Sequence, residues 1–244
     1  MNWKLLICSL LMALPAGADE FKAANELYDA GKFAEAAAAY EKIEPKTAHV
    51  YFNLGNTMFR DGKPGLAILN YERARRLAPR DPDILANLKF AQQRLGVGEV
   101  NTSPRAVQRF LHLVVESRTP KEWSTYELAG LWLTVLAIGV CFYLPRVRTG
   151  FLIVSVAVFV GFAAATFGLS CQAIDARTAP SGVVVVNEAD ARFAPLPEST
   201  VHFRLVEGTK VVIREDRGQW LFVERADAQQ GWVKAESVER VTPR

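Results

Sequence analysis

The segment 128-LAGLWLTVLAIGVCFYL-144 is an uncharged apolar stretch. After the six residues 145-PRVRTG-150 it is followed by a second one, 151-FLIVSVAVFVGFAAATFGLSC-171. At about 1.5 Å per residue, each stretch is long enough to cross a hydrocarbon core of roughly 30 Å. The sequence therefore predicts a two-helix transmembrane hairpin over residues 128–171. The alternative is a pair of buried helices in a soluble core, for which the rest of the chain offers little covering sequence.

The sidedness of this hairpin follows from two independent signals. Its connector carries Arg146 and Arg148 and no acidic residue, and positive residues in short loops favour the cytoplasmic side. Residues 1–18 have the pattern of a secretory signal peptide, with Lys4 before an apolar run and small residues at 16–18. An uncleaved anchor is the alternative. Both signals predict an inner-membrane protein of a bacterium, with its N- and C-terminal domains in the periplasm.

Composition limits the chemistry that this chain of 244 residues can perform. The net charge is only +3, without a Lys/Arg run that would indicate nucleic acid. Cysteine occurs three times, never in a zinc-type spacing, so neither a metal nor a cofactor is expected. His49, His112 and His202 lie far apart in sequence, without a nucleophile, base or phosphate loop beside them. We expect no catalytic residues and a protein that is not an enzyme.

Residues 19–96 contain a repeat with an offset of 31 residues. The same residue types recur at equivalent positions, namely Gly31 and Gly62, Ala36 and Ala67, and Tyr40 and Tyr71. This pattern resembles the tetratricopeptide repeat, a pair of packed helices. Asp81-Pro82 then predicts the start of a capping helix that ends at Gly96. The region is expected to form a short α-helical solenoid of about two and a half repeats.

The resemblance implies a binding groove lined by the first helix of each pair and by the capping helix. The residues that it assigns to this groove are Asn25, Tyr28, Asn56, Phe59, Arg60, Phe90 and Arg94. Paired Asn side chains can hydrogen-bond an extended peptide backbone, and the aromatic rings offer apolar pockets. The alternative is that these are ordinary solvated and packing residues. Asn53 and Asn87 are predicted to hold neighbouring helices together.

Residues 97–127 are predicted to form a linker and a juxtamembrane helix. Apolar residues at helical spacing over residues 104–114 favour a helix on the membrane surface or one packed against the repeats. Thr119-Pro-Lys-Glu122 has the pattern of a capping box, opening a helix that continues into the first span. In the second span, Ala157, Gly161 and Ala165 form a ridge of small residues. The ridge favours packing within the hairpin or contact with another membrane subunit.

Residues 181–244 change to the pattern of short strands. Valine-rich runs alternate with turns, which predicts a small all-β barrel. The segment Phe203-x-Leu-x-Glu-Gly-Thr209 and the later Gly231-Trp-Val233 resemble bacterial SH3-type domains. In that comparison Trp232 is expected to fill the core and Trp220 to pack at the barrel edge.

The chain as a whole is predicted to be a multidomain membrane protein, and the order of its regions is similar to that of the BatE family. That family belongs to the bacterial Bacteroides-aerotolerance (Bat) operon, and the resemblance is strongest in residues 51–56, 67–73 and 231–233. It implies a membrane scaffold acting beside von Willebrand A-domain Bat proteins and a MoxR-type ATPase, in envelope or oxidative-stress tolerance. The alternative is a protein that binds peptidoglycan or senses the state of the envelope.

Overall fold

The computed structural model describes residues 18–97, 118–143, 155–168, 170 and 180–242. Helices occupy the first three ranges and a β-sheet the last, so the fold combines helices and a sheet, as predicted. The first five helices are α1 Ala18–Asp29, α2 Phe33–Lys42, α3 Ala48–Arg60, α4 Pro64–Leu77 and α5 Pro82–Leu95. They are followed by α6 Pro120–Tyr143 and α7 Ser155–Gly168. Of the predicted signal peptide, only its last residue, Ala18, is described, and it opens α1. The 104–114 helix and the 145–150 connector lie outside the described residues.

Local capping signals set the ends of the first five helices. Gly31, Gly62 and Gly96 follow α1, α3 and α5 with φ of +75°, +76° and +68°, a region that glycine enters without a steric cost. At each of these ends the next N–H reaches back five residues to a carbonyl, which closes a Schellman turn. At the start of α5, the Asp81 side chain accepts hydrogen bonds from the N–H groups of Asp83 and Ile84. These are the helix boundaries that the sequence predicts.

The helices pack in chain order, each against the next, around buried alanine and tyrosine side chains. Ala36 and Ala67 are fully buried, and Tyr40 and Tyr71 are nearly so. Helices α3 and α4 approach closely at Gly55, where an added methyl group would lie 2.6 Å from Cε1 of Tyr71. Small residues therefore set the spacing of the two helices, as the 31-residue repeat predicts.

The last region is one antiparallel sheet of seven strands. The strands are β1 Ser181–Val184, β2 Glu188–Arg192, β3 Val201–Val206, β4 Lys210–Asp216, β5 Trp220–Arg225, β6 Gln230–Lys234 and β7 Val238–Arg240. Their order is β3-β2-β6-β5-β4-β1-β7, so β3 and β7 form the two edges. Aliphatic side chains from all seven strands, mostly valine and alanine, share a single core cluster, which requires the sheet to curl around it.

Trp232 is buried, as expected, but on the other side of the sheet from that core. Side chains alternate between the two faces of a strand, and its neighbour Val233 occupies the core face. The Trp232 ring packs against Phe222 at 5.1 Å between centroids and beneath the Arg217 guanidinium at 4.5 Å. Trp220 is half-buried at the first position of β5. Trp232 is therefore buried as predicted, but it lies outside the cluster of smaller side chains on the other face of the sheet.

The sheet docks on the helices through β1 and α4. Val183 and Val184 are both fully buried on opposite faces of β1. Val184 joins the sheet core, whereas Val183 and Val241 join the core of the helices. The turn at Gly208 approaches Ile68 of α4 and Leu95 of α5 so closely that a methyl group there would lie 2.7 Å from each. The helices α1–α5 and the sheet therefore form one packed unit.

Polar contacts fix the position of the sheet on α4. The N-cap residue Lys63 offers no side-chain cap, and Glu207 of the sheet instead accepts a hydrogen bond of 2.7 Å from the N–H of Gly65. This carboxylate also meets the positive end of the helix dipole. Farther along α4, the buried carboxylate of Glu72 accepts hydrogen bonds from Arg75 at 2.9 Å and Lys210 at 3.2 Å. A third carboxylate contact joins Arg73 of α4 to Glu239 of the sheet at 2.9 Å.

Helix α6 begins at the predicted capping box. Thr119 Oγ1 accepts from the N–H of Glu122 at 3.2 Å, and the Glu122 carboxylate accepts from the N–H of Thr119 at 2.9 Å. The predicted boundary between residues 127 and 128 falls inside this helix. The segment Lys121–Val140 is long and apolar enough to cross a membrane.

The second apolar helix is shorter over the described residues and packs against α6. Helix α7 covers 14 residues, fewer than the roughly 20 of a typical span. Close contacts join Trp123 to Gly168, Glu127 to Thr166, and Gly130 to Phe162. Positions on α7 fall as those on α6 rise, so the helices run antiparallel. Of the predicted ridge, Ala165 is buried in this contact, whereas Ala157 and Gly161 are exposed.

Candidate functional site

The predicted groove residues lie on helices α1, α3 and α5. Helix α2 contributes none of them, and helix α4 is covered by the sheet. Asn25 and Tyr28 are on α1, Asn56, Phe59 and Arg60 on α3, and Phe90 and Arg94 on α5. The sheet packs on α4 and on the α5 end at Leu95. We call the surface formed by these seven residues the α1-α3-α5 face.

Asparagine and tyrosine side chains link successive helices beneath this face. The Oδ1 atom of Asn56 accepts a hydrogen bond from the Tyr71 hydroxyl at 2.8 Å and another from Asn87 Nδ2 at 2.8 Å. In the preceding repeat, Asn25 Oδ1 accepts from the Tyr40 hydroxyl and from Asn53 Nδ2. The prediction that Asn53 and Asn87 hold neighbouring helices together is confirmed.

Asn25 and Asn56, the two asparagines assigned to binding, therefore each use the amide oxygen in a structural role. Because both partners of Asn56 Oδ1 are donors, the orientation of its amide is fixed. No hydrogen bond among the described residues engages Asn56 Nδ2. This N–H donor pair is the part of the side chain that remains for a ligand.

Burial keeps the tyrosines of this network in their protonated form. Desolvation raises the pKa of Tyr40 to about 12, and it raises the pKa of Tyr71 further still. A neutral phenol keeps its proton to donate, so each hydroxyl continues to satisfy its asparagine. Both hydroxyls therefore remain donors at neutral pH.

Aromatic and cationic side chains complete the α1-α3-α5 face. Phe59 of α3 packs against Phe90 of α5 with centroids 5.6 Å apart, and Phe90 is 58% exposed. At the other end, Tyr28 packs against Phe33, which also lies 5.6 Å below the Arg60 guanidinium. Arg94 is exposed on α5, one turn after Phe90. The face thus combines a polar donor, an open aromatic surface and two positive charges.

Sequence reasoning missed Phe33, which joins two of the predicted residues. It opens α2, so the assumption that only first helices contribute to the face excluded it. The two tryptophans of the sheet are not brought to this face, and Trp232 is nearly inaccessible. Among the described residues, no group of three or more His, Cys, Asp or Glu side chains is placed to hold a metal ion.

Comparison with known proteins identifies no family for this chain. No protein-family model matches the chain, and no curated protein matches it.

Proposed function

We propose that this protein is a non-enzymatic membrane scaffold whose α1-α3-α5 face binds an extended segment of a protein partner. The observation that carries the proposal is the fixed amide of Asn56, which directs a free N–H donor pair away from its internal partners. A backbone carbonyl of an extended peptide is the acceptor that such a donor suits. Phe90 would receive an apolar side chain of the peptide, and Arg60 and Arg94 favour an acidic one.

The architecture supports reading the five helices as tetratricopeptide-type repeats and the sheet as an SH3-type module. The 31-residue recurrence of the asparagine-tyrosine contacts is the main support for the repeats. The turn at residues 207–209 and the Gly-Trp-Val strand support the sheet assignment, although the sheet has two open edges. Solenoid repeats of this kind present extended concave surfaces that serve for binding.

The docked interface supports a two-span anchor. Because β1 packs on α4, residues 97 and 180 must lie on the same side of a membrane, so the chain between them crosses it an even number of times. The antiparallel contacts of α6 and α7 fit a hairpin with its turn near the connector at residues 145–150. With the positive connector inside, we propose that both soluble regions are periplasmic at a bacterial inner membrane.

Within this proposal, the partners are other membrane or periplasmic proteins. The BatE resemblance suggests von Willebrand A-domain Bat proteins and a MoxR-type ATPase, acting in envelope or oxidative-stress tolerance. An anchor that holds two modules beside such partners raises their effective concentration without any catalysis.

The Asn56→Asp variant tests whether the free amide N–H groups of Asn56 bind the partner. Aspartate is close to isosteric and keeps an oxygen to accept from Tyr71 and Asn87, but it has no N–H to donate. We expect partners crosslinked to the full-length protein in its native membrane to be lost, while the thermal unfolding midpoint stays near that of the parent protein. Phe90→Ala should weaken binding about 30-fold, as expected for a central aromatic contact. Lys89→Ala, one position away, is the matched control, and equal partner recovery from all variants would contradict the proposal.

A second function, binding to the cell wall, is favoured by one observation on the sheet. Phe193 is 63% exposed and stacks on His202 with centroids 4.3 Å apart. This flat ring pair is the kind of surface on which a sugar ring can stack.

The Phe193→Ala variant separates the two functions. If the sheet binds peptidoglycan, the detergent-solubilised full chain should be retained on isolated sacculi and Phe193→Ala should abolish that retention. Phe90→Ala serves as the control and should be retained as well as the parent protein. Equal retention of the parent protein and Phe193→Ala would show that this ring pair does not bind peptidoglycan.

A further inference from the structure

The end of the helical array that contains the α4–α5 turn lies beside the start of the candidate membrane span. Arg80, in this turn, forms a salt bridge with Glu122, which lies in the first turn of α6. A cleft between the two segments is lined by Leu77 and Arg80 on one side and by Thr119 and Glu122 on the other. The turn is therefore held at the level where α6 would enter a membrane.

Exposed apolar side chains flank this turn. Leu77 ends α4 and is 47% exposed, and Leu85 lies in α5 and is 41% exposed. At the same level α6 carries Trp123 and Tyr126, the residue types that collect at membrane–water interfaces. The array thus exposes two leucines at the end that lies near the first turn of α6, whose aromatic residues are of the interfacial type.

The charges around the turn suit an anionic surface. Arg76, Arg80 and Lys121 are exposed there, and Arg118 lies close by. Of the nearby acidic groups, Asp81 caps α5 and Glu122 is paired with Arg80, which leaves Asp83 exposed to solvent. Basic side chains beside a bilayer are attracted to anionic lipid headgroups.

We propose that the surface formed by Leu77, Leu85, Arg76 and Arg80 docks on the lipid bilayer that surrounds α6. The leucines enter the interfacial layer and the arginines contact anionic headgroups, in the manner of an interfacial amphipathic element. In this orientation the α4–α5 end of the helical array contacts the membrane. The opposite end, with the α1–α2 turn at Lys32, is about 20 Å away along a 14-residue helix. The proposal rests on the membrane anchoring proposed above.

Single-cysteine variants in lipid nanodiscs test this orientation. Cys8, Cys141 and Cys171 are first replaced by serine or alanine, and an environment-sensitive fluorophore is then attached at Leu77→Cys, Leu85→Cys, Lys32→Cys or Val135→Cys. Lipids that carry a quencher at the top of the acyl chain report contact. We expect quenching at 77 and 85, stronger with phosphatidylglycerol than with phosphatidylcholine alone, and none at 32. Val135, exposed on α6, serves as the control for insertion.

The outcomes separate this proposal from the anchoring on which it rests. Quenching at 135 with positions 77 and 85 behaving like 32 would overturn the docking surface and leave the anchor standing. Absence of quenching at 135 would overturn both. Loss of quenching at 77 in an Arg80→Ala variant, but not in Arg94→Ala, would support the role of the Arg80–Glu122 contact in holding the array to the membrane.

Discussion

Replacing Glu72 by alanine is expected to loosen the sheet from the helices by about 2–3 kcal/mol. The Glu72 carboxylate is only 4% exposed and is paired with Arg75 and Lys210. Removing one member of a buried ion pair leaves the remaining charges without a partner. If those charges stay buried, the loss lowers the free energy of unfolding by roughly 3–5 kcal/mol. Lys210 is 40% exposed and can turn toward water, so we place the cost at the lower end.

Amide hydrogen exchange of the full-length protein measures this loss locally. Exchange of α4 and β1 should become about 30- to 150-fold faster in Glu72→Ala, the equivalent of that free energy. The control is Glu239→Ala, which removes the partner of Arg73 at the rim of the same interface, where Glu239 is 48% exposed. Because Glu239 is half in solvent and Arg73 keeps its hydrogen bond to the Arg240 carbonyl, losing this pair should cost only about 0–1 kcal/mol. Equal acceleration by both variants would show that the buried pair is not what holds the sheet.

The ionisation of the Glu72 carboxylate should make the stability of this interface depend on pH. Burial opposes its ionisation, but Lys210 and Arg75 outweigh burial and lower the pKa of Glu72 below its usual 4.5. A carboxyl whose pKa is lower in the folded state stabilises fully above its usual pKa and loses that contribution as pH falls through the folded-state value. Exchange of β1, corrected for its intrinsic pH dependence, should therefore rise below about pH 4.5 in the parent protein. In Glu72→Ala this rise should be absent.

Features set by neighbouring residues in the chain were predictable from the sequence. The glycines that end α1, α3 and α5, the Asp81 cap and the Thr119–Glu122 capping box all lie where the pattern indicates. Each depends on a few adjacent residues and on rules of backbone geometry that hold in any fold. The turn at Gly208, with φ of +79°, is another.

The docking of the sheet on α4 was not predicted, because it joins segments more than one hundred residues apart. Two signals pointed to it. The continuous valine run at residues 183–186 lacks the polar alternation of a strand with one solvated face, and such runs indicate strands that are covered on both faces. Helix α4 also begins without a capping side chain of its own, since Lys63 precedes Pro64. A missing cap indicates a partner from elsewhere, here Glu207.

The candidate site was predicted by position but not by role. The repeat pattern places Asn25 and Asn56 on the correct helices, yet it does not show that each amide oxygen is used internally. That depends on where Tyr40 and Tyr71 lie relative to the neighbouring helix, which is a tertiary property. The same limit explains Trp232: its burial follows from its type, but its face follows from strand register.

Replacing Gly55 by alanine is expected to destabilise the protein by about 2 kcal/mol, although helix propensity alone favours the change by about 1 kcal/mol. The added methyl group would lie 2.6 Å from Cε1 and 2.7 Å from Cδ1 of Tyr71. These atoms belong to a rigid buried ring, whose hydroxyl is held by Asn56 and whose face meets Phe52. The ring must shift, which costs packing and strains the Asn56 contact, so the steric cost exceeds the propensity gain.

Thermal unfolding followed by circular dichroism should show a fall of roughly 5 °C in the midpoint of Gly55→Ala. Gly31→Ala is the control: its φ is +75° but no atom lies within 4 Å of the added methyl group. Backbone strain alone should cost it about 1 kcal/mol. A Gly55→Ala midpoint at or above that of the parent protein would mean that the ring yields without cost.

A double variant identifies the cause of the Gly55→Ala effect. Tyr71→Leu alone removes the ring, its hydrogen bond to Asn56 and part of the core, and is destabilising in its own right. In combination with Gly55→Ala the overlap no longer exists, so the second substitution should add little to the first and can recover part of its propensity gain. Such non-additivity between touching residues measures their steric conflict directly. Additive effects would instead assign the cost of Gly55→Ala to something other than the Tyr71 ring. The spacing of α3 and α4, and with it the position of Asn56 on the α1-α3-α5 face, would then have a different origin.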